Sequence, residues 1–380
     1  MNPTAQRTTT PAGDPAWLVS DYDTVKRLLA DPRLGRSHAD PDAASRYSES
    51  MIFGRPYPVS PTEAADHTRM RRLLAPWFSA RRMEVLRSRV QRLADQLLDD
   101  LAGGGAPADF HEAVSFPLPA LVICEILGVP YADREDFRRW SDDAADMTDQ
   151  ARSFSGLAAL WQYMTGLVTT KLDDPGDDVL SALVTAHRAD PEDLTLDGVA
   201  QLGAALLFAG HETTVAAIDT GVVLLTTHPA QRDALRRDPT LVPDAVEEIL
   251  RSALPVPLEH TDSGPSHGLA RWASADLDVD GITIPAGDLV LLGLQQANDD
   301  RWLVGDRPGF DIARRPNPHL TFGHGPRFCL GAPLARLELQ VLIGTLLDRF
   351  PALALAVPVG QLQPRTTLLT GGVAPLPVTW

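Results

Sequence analysis

Apolar residues recur every three to four positions through most of the chain before Pro255, the spacing of one buried face of an α-helix. The pattern stops at prolines, glycines and acidic turns, where helices commonly end. It predicts helices at 23–30, 67–101 (two helices, interrupted at 75–76 and resumed near 81), 118–127, 133–172 (two helices), 179–187, 194–227, 229–238, 243–252 and 331–350. Residues 194–227 are apolar nearly all round, so we expect this helix at the centre of the fold.

A different pattern follows Pro255. Residues 276–284 and 289–294 flank the turn residues 285–287 and predict a strand, a turn and a second strand. Residues 353–380 are interrupted by prolines and are strand-like. The predicted fold class is mainly α with a minor β region. We expect one large domain over 1–380, with a disordered or short N-terminal arm at 1–15, a helix-rich region at 16–255 and a β-containing region at 256–380.

Composition excludes several classes of protein. Lys and Arg number 34 and Asp and Glu number 50, and the net charge of −16 disfavours binding to nucleic acid or to an anionic membrane. Two cysteines are too few for a disulfide scaffold or a cysteine-rich zinc module. The N-terminus lacks the apolar core of a signal peptide, and the apolar stretch 198–210 is too short to span a bilayer. We expect a soluble, globular protein of the cytoplasm.

The segment 322–331 (FGHGPRFCLG) carries the most chemical information. Its three glycines permit tight turns and the close approach of a large group. Cys329 lies just before a predicted helix, whose positive N-terminal end would stabilise a thiolate. A single thiolate in a glycine-lined loop suits a metal centre that carries a flat macrocycle. For Cys124, within an apolar helix, we expect only a buried free thiol.

This segment resembles the haem-binding signature of the cytochrome P450 superfamily. The matching positions are Phe322, Gly323, Gly325, Arg327, Cys329 and Gly331. The resemblance runs from about Trp17 to the C-terminus and implies a bacterial, soluble type of P450 fold around one buried haem b. It implies that Cys329 is the iron ligand, a thiolate of the kind that favours O–O cleavage in these enzymes, and it places the haem loop in the region 256–380.

The central helix contains a second motif, Ala-Gly-His-Glu-Thr-Thr at 209–214. Gly210 would leave a notch for a diatomic ligand, and Thr213 could donate a hydrogen bond to the carbonyl of Ala209. An acid in an apolar helix is costly unless it is satisfied or used. The segment is similar to the oxygen-activation motif of the superfamily. That similarity implies that Glu212 and Thr213 deliver protons and that Ala209 and Gly210 line the cofactor.

Further charged residues gain a role only through the resemblance, which implies that four of them hold the haem propionates: His67, Arg71, Arg271 and Arg327. Glu248 and Arg251 match the family's Glu-x-x-Arg pair, which supports the cysteine loop. The family often places another arginine at the position of Gly309. Either Arg307 or Arg314 substitutes for it here, or the network is thinner.

Residues 67–92 contain eight arginines and one acidic residue, a net charge of +7 within an acidic chain. Solvated helix faces would explain part of this island. We hypothesise that another part binds an acidic electron donor such as a ferredoxin. The sequence shows no flavin-binding or iron–sulfur segment, so we expect this donor to be a separate protein.

These features predict a monooxygenase that inserts one atom of O₂ into a C–H bond or a double bond of a mid-sized apolar or amphipathic molecule, in specialised-metabolite biosynthesis. Oxidative coupling without oxygen incorporation is the nearer alternative, and a haem sensor without catalysis is the more distant one. By family position, the substrate cavity is lined by 35–59, 144–165, 206–212, 256–258 and 369–370. Two departures from the family affect its shape: a short N-terminus, from a late start site or a real truncation, and an insertion at 259–269.

Overall fold

The computed structural model describes residues 4–252, 267–305 and 309–380. In these residues the helices are α1 (Tyr22–Leu29), α2 (Glu63–Leu74), α3 (Ala80–Gly104), α4 (Pro117–Leu127), α5 (Arg134–Ala145), α6 (Gln150–Asp173), α7 (Val179–Ala189), α8 (Leu196–Thr227), α9 (Pro229–Arg237), α10 (Val242–Arg251), α11 (Leu294–Asn298), α12 (Arg301–Val304) and α13 (Ala332–Arg349). One π-helical turn, His111–Ser115, precedes α4. The helices correspond closely to the predicted ones, and the mainly α fold class is confirmed.

The strands are short and lie at both ends of the chain: β1 (Ala5–Thr9), β2 (Pro15–Val19), β3 (Leu34–Gly35), β4 (Ser37–His38), β5 (Tyr57–Pro58), β6 (Ala108–Asp109), β7 (Leu269–Ala273), β8 (Leu277–Val279), β9 (Ile282–Ile284), β10 (Leu289–Leu292), β11 (Ala354–Leu355) and β12 (Pro377–Thr379). The largest sheet has the order β1-β2-β10-β7-β3. Within it, β2 and β10 are parallel and the other pairs are antiparallel. Strands β11, β12 and β6 form a second sheet, in which the tail of the chain pairs with the segment before α4.

Local chemistry explains where the helices begin and end. Ser79 accepts a hydrogen bond from the N–H of Arg82 at the start of α3, and Thr195 does the same for Gly198 at the start of α8. Gly128, with φ +75°, ends α4 at the predicted position. Between α2 and α3, residues 75–78 form a single 3₁₀ turn, which accommodates Pro76.

Helix α8 occupies the predicted central position. It packs on α4, α6, α7, α10 and α13, and most of its apolar residues are buried. Close crossings rely on small residues: a Cβ at Gly203 would come within 2.7 Å of Met164, and one at Gly221 within 3.2 Å of Ile249. These contacts join α8 to helices from both halves of the chain within one apolar core.

Three expectations about the β region need correction. Residues 276–284 are not one strand but the hairpin β8–β9, because Asp280 and Gly281 adopt positive φ and form the turn. Residues 5–9, within the segment expected to be disordered or a short arm, form a strand paired with β2. The strand predicted at 289–294 ends at Leu292, because Gly293 is the N-cap of α11.

In the described part of the chain, none of the helices has the length and apolar character needed to cross a membrane. Several predicted features lie outside the described residues: the cavity segment 256–258, most of the insertion 259–269, and Arg307.

Candidate active site

The cysteine loop is closed by its own backbone. The N–H of Cys329 donates to the carbonyl of Phe322 at 2.8 Å, and the N–H of Phe328 donates to that of Gly325 at 3.1 Å. Gly323 and Gly325 have φ of +72° and +75°, and a Cβ at Gly325 would lie 2.9 Å from Ala30. The two glycines therefore permit the turn, as predicted, and one of them also lets the loop approach α1.

Cys329 is accessible on one side and surrounded by protein on the others. Burial raises the pKa of its thiol, although hydrogen bonds from the N–H groups of Gly331 and Ala332 and the positive charges of Arg71 and Arg336 act in the opposite direction. The N–H groups at the start of the helix lower the pKa of the thiol, as predicted, but burial raises this pKa by more. The thiolate therefore requires a cationic centre, which deprotonates a thiol that coordinates it.

The ion pair of Arg336 and Glu247 fixes the position of Phe322, the first residue of the cysteine loop. The guanidinium of Arg336 lies 4.6 Å from the ring centre of Phe322 and donates to both oxygens of Glu247, at 2.7 and 2.8 Å. His319 contacts the same carboxylate at 3.1 Å. Burial alone would raise the pKa of Glu247, but these two partners outweigh it and bring the pKa to about 2.

The predicted Glu-x-x-Arg pair forms the centre of a buried network. Arg251 donates to both oxygens of Glu248, at 2.8 and 2.9 Å, and Arg314 donates to the same carboxylate at 3.1 Å. Both arginines also donate to the carbonyl of Gly309, at 3.0 and 2.8 Å. Arg314 thus substitutes for the arginine that the family often has at the position of Gly309. The network anchors the segment that leads into the cysteine loop.

The four predicted propionate residues come together from distant parts of the chain. Arg71 donates to the carbonyl of Phe328 at 2.8 Å, beside Cys329. Arg327 forms an ion pair with Glu63. Burial lowers the pKa of His67, and the charges of Arg327 and Arg71 lower it further. These effects show that α2 and the cysteine loop share one electrostatic environment.

Arg271, on β7, completes this cluster. Burial, followed by repulsion from Arg36 and Arg327, lowers its pKa to about 10, and its guanidinium donates at 2.7 Å to the carbonyl of Ala270. A buried arginine that is repelled by two other arginines is stabilised by an anionic partner.

Arg36 is a residue that sequence reasoning missed. Burial lowers its pKa, and its guanidinium lies 4.4 Å from the ring centre of Phe53 and donates to the hydroxyl of Tyr57 at 2.9 Å. No motif surrounds Arg36 in the sequence, so no local signal could have identified it. Its importance follows only from its position beside Arg271 and Arg327.

These side chains fit a haem. Three arginines (Arg36, Arg271 and Arg327) act on one another, and Glu63 is the carboxylate, among the described residues, that acts on them. The cluster is therefore positive, which suits the two anionic propionates of haem b. The donor set fits as well, because Cys329 offers one accessible thiol beside this cluster.

Helix α8 offers a surface for such a group. Although the helix is central, Ala205, Ala209 and Thr213 are exposed, at successive intervals of four residues. They form an accessible stripe along one face of the helix. Thr213 donates to the carbonyl of Ala209 at 3.1 Å, as predicted. Helix α13, which follows Cys329, packs directly on α8.

The predicted notch at Gly210 is wrong. A Cβ at this position would lie 2.6 Å from Ile123, so the missing side chain lets α4 cross α8 closely. The glycine serves helix packing, and Ala209 and Thr213 form the accessible surface beside it.

Glu212 is 2% exposed and points away from the Thr213 stripe. Its carboxylate lies 3.1 Å from Nε2 of His211, 3.6 Å from the guanidinium of Arg365 and 3.5 Å from the hydroxyl of Thr370. Burial alone would raise its pKa, but His211 and Arg365 outweigh burial and bring the pKa to about 2. A buried, ionised carboxylate therefore lies next to an accessible hydroxyl on the same helix.

Comparison with known proteins agrees with this site. The family model described as "Cytochrome P450" matches residues 162–357. The chain is 41% identical to pentalenolactone synthase of Streptomyces exfoliatus over 97% of this chain and 91% of that protein. It is 40% identical to the cytochrome P450 monooxygenase PikC of Streptomyces venezuelae over 99% of this chain and 88% of that protein.

The chain belongs to the cytochrome P450 family. Its fold is similar to the crystal structure of the LnmA cytochrome P450 hydroxylase from the leinamycin pathway of Streptomyces atroolivaceus, with a TM-score of 0.86, 39% identity and coverage of 100% of this chain and 94% of the other. Membership makes it an oxidoreductase that uses haem, acts with O₂ on a small molecule and receives electrons from a redox partner.

Proposed function

We propose that this P450 inserts one atom of O₂ into a C–H bond or a double bond of a mid-sized apolar or amphipathic molecule. The other oxygen atom leaves as water, with two electrons and two protons consumed. The observation that carries the proposal is the pair on α8, an accessible hydroxyl at Thr213 beside a buried carboxylate at Glu212. A haem carrier or sensor would need neither group, and steady electron consumption that depends on substrate would exclude it.

Cys329 would bind the iron, and the propionates would pair with the arginine cluster (Arg36, Arg71, Arg271 and Arg327) and with His67. Bound there, the haem would supply the activation of O₂, and thiolate ligation would favour O–O cleavage. Gly323 and Gly331 leave room beside Phe322 and Cys329 for a flat group, since a Cβ at either glycine would meet no atom closer than 3.9 Å.

On α8, Thr213 holds a proton at Oγ1 and shares it with the carbonyl of Ala209 at 3.1 Å. Glu212 would take up and pass on further protons when its positive neighbours move away, because burial itself favours its protonated form. Together the two groups would supply the two protons of the reaction on the distal side.

The substrate belongs to specialised metabolism in this proposal. The relatives that support it include a monooxygenase and a synthase from Streptomyces, and a hydroxylase named for a biosynthetic pathway. Leu206, Leu369 and Thr370 lie among the predicted cavity positions and are partly accessible. Their apolar and hydroxyl groups suit a molecule with both apolar and polar parts. Such chemistry fits the cytoplasm, where the free Cys124 stays reduced.

A second candidate function is oxidative coupling, in which two bonds to hydrogen are broken and a C–C or C–O bond forms without oxygen incorporation. One relative favours it, because it is named a synthase rather than a hydroxylase or oxygenase. Turnover under ¹⁸O₂ separates the two functions: the label appears in the product of oxygen insertion, and it appears only in water after coupling.

We also propose that the electron donor is a separate ferredoxin that binds the outer surface of α2 and α3. The structure reduces the predicted basic island, since acids from other segments pair with several of its arginines. The pairs are Arg69–Asp193, Arg82–Asp177 and Arg89–Glu125. Arg72, Arg81 and Arg92 are exposed and have no ion-pair partner in the described residues. These three would attract an acidic donor.

Two variants test the proposal. Cys329→Ala should abolish the thiolate-type Soret band of the ferrous carbon monoxide complex, and a retained band would contradict the ligand assignment. Thr213→Ala should bind haem and substrate normally but release reduced oxygen as peroxide. Full coupling of electron consumption to product in that variant would remove the proton-transfer role of Thr213.

A further inference from the structure

The segment 364–373 near the C-terminus, here called the C-terminal loop, brings a charged residue to Glu212 that the motif on α8 does not contain. The N–H of Arg365 donates to the carbonyl of Gly372 at 3.0 Å, and Pro364 pairs with Val373. The loop also lies against the junction of α5 and α6, where Leu369 donates to the carbonyl of Ala145 at 3.1 Å. Arg365 is therefore held between α8 and α5.

The side chain of Arg365 contacts two carboxylates at once. One nitrogen lies 3.6 Å from Oε2 of Glu212, and another forms an ion pair with Asp142 on α5. The two acids differ in their access to solvent, since the side chain of Glu212 is 2% exposed and that of Asp142 is 26% exposed. Arg365 thus connects an acid in the core with an acid at the surface.

The remaining groups around Glu212 do not replace Arg365. His211 lies between the rings of Phe116 and Phe137 and donates through Nδ1 to the carbonyl of Leu207 at 2.8 Å, which fixes its ring. The polar groups that face Glu212 or its partners are His211 and Asp219 on α8, His111 on the π-helical turn, Arg138 and Asp142 on α5, and Arg365 and Thr370 on the C-terminal loop. His111 and Asp219 bind each other at 2.8 Å. In the described residues, Arg365 is therefore the cation that contacts Glu212 and also has a second acid to contact.

We propose that Arg365 is a positioning residue for the oxygenation reaction: anchored by its ion pair with Asp142, it holds Glu212 as a carboxylate, and its movement away from Glu212 lets Glu212 take up a proton. The proposal rests on the proton-transfer role of Glu212 in the proposed function. Burial is the largest influence on Glu212 and favours its protonated form, and it is opposed by the positive charges of His211 and Arg365. Movement of Arg365 by a small distance away from Glu212 would therefore favour the protonated form of Glu212.

The same loop carries Leu369 and Thr370, which are predicted cavity positions, and the hydroxyl of Thr370 donates to Glu212 at 3.5 Å. A substrate that contacts this end of the loop would shift Arg365 with it. The arrangement therefore offers a direct mechanical route from an occupied cavity to the proton-transfer residue.

The experiment measures product formed per electron pair consumed as a function of pH in the haem-loaded enzyme. Glu212 is ionised throughout the neutral range in the wild type, so its own titration should not appear. In Arg365→Gln, burial is less opposed and the pKa of Glu212 rises, so a new ionisation should enter the profile from its acid side. Below it the coupling ratio should fall by about tenfold or more. Arg365→Lys should restore the wild-type profile.

Two further variants make the result specific. Asp142→Asn removes the acceptor for Arg365, so coupling should fall without a new ionisation. The double variant Glu212→Gln with Arg365→Gln should lose no more coupling than Glu212→Gln alone, because Arg365 acts through Glu212. Arg139→Gln is the matched control, since Arg139 pairs with Asp136 on the exposed face of α5, and it should leave the profile unchanged.

An unaltered pH profile in Arg365→Gln, or losses that multiply in the double variant, would overturn the proposal. If Arg365→Gln does not fold, full coupling in Asp142→Asn would overturn it equally. Haem content and the substrate-induced spin shift should stay close to wild type in the folded variants. Full coupling in Glu212→Gln would remove the proton-transfer role in the proposed function and this proposal with it, whereas loss in Glu212→Gln with a normal Arg365→Gln profile would contradict only this proposal.

Discussion

Two buried carboxylates on neighbouring helices, Glu248 on α10 and Glu212 on α8, are held in different ways. Glu248 accepts hydrogen bonds of 2.8 to 3.1 Å from Arg251, Arg314, Asn317 and the N–H of Asp311. The contacts of Glu212 with His211, Arg365 and Thr370 are longer, at 3.1 to 3.6 Å. Both residues are at most 2% exposed.

The difference separates a structural acid from a chemical one. Every lone pair of Glu248 that faces the protein is used, so its charge is compensated and its position is fixed. Glu212 is stabilised as an ion by charges at longer range, which leaves its oxygens able to exchange a proton. In the proposed function, the cysteine-loop side of the site would therefore be rigid, and the α8 side would allow proton movement.

The largest expected effect is that of Glu248→Gln. It leaves Arg251 and Arg314 buried without their carboxylate, and breaking such a pair costs about 3–5 kcal/mol of the free energy of unfolding. Denaturant unfolding of the haem-loaded protein measures the loss, and haem content should fall as well. Glu125→Gln, which breaks the exposed pair with Arg89, should cost less than about 1 kcal/mol. Equal losses in the two variants would contradict the anchoring role of Glu248.

Glu212→Gln should cost much less stability than Glu248→Gln, about 1–2 kcal/mol, because its longer contacts contribute less and Gln keeps the hydrogen bond to Thr370. The same unfolding measurement applies. Its haem content should equal that of the wild type, while coupling of electrons to product falls. A stability loss as large as that of Glu248→Gln would show that both carboxylates are structural.

The pH dependence of the free energy of unfolding tests the ion pair of Glu247 with Arg336, the arginine that contacts Phe322. The folded pKa of Glu247, about 2, lies below its unfolded value, so its stabilising contribution is present above about pH 5 and is lost as the pH falls toward 2. The difference in free energy of unfolding between wild type and Glu247→Gln should therefore shrink as the pH falls through this range. A difference that is constant with pH would contradict the ion pair with Arg336.

The smallest expected effect concerns the electron donor. Replacing Arg72, Arg81 and Arg92 together with Gln should slow reduction by an acidic ferredoxin about two- to tenfold at low ionic strength and flatten its dependence on salt. Arg89→Gln, at an arginine already paired with Glu125, is the control. A reduction rate that is equally sensitive to salt in the triple variant and the wild type would place the donor elsewhere.

Most helices could be predicted because their signals are local. Apolar spacing, the Ser79 and Thr195 caps and the Gly128 stop all act within a few residues. The hairpin turn at Asp280 and Gly281 was missed although Asp-Gly is a strong local signal, because alternation continues through it. Strand β6, two residues long, has no local signal and forms only because β12 arrives from the end of the chain.

The residues of the candidate site also divide into those with a local sequence signal and those without one. Cys329, Glu212 and Thr213 could be found because their motifs are contiguous. The charge of residues 67–92 that is left without partners is smaller than the sequence indicates. Asp177 and Asp193, which pair with two of its arginines, lie about a hundred residues away in sequence. Arg36 and Arg365 carry no motif, and their roles depend on which charges the fold brings beside them.

By itself the sequence determined the helical elements and the family, because each is encoded by neighbouring residues. For the same reason it predicted Cys329 as the iron ligand and the acid and alcohol on the central helix as the proton-transfer pair. Only the tertiary structure decided which charges are compensated and which are left in excess. Electrostatic energy depends on distance and burial in space, and distant parts of the chain supply both.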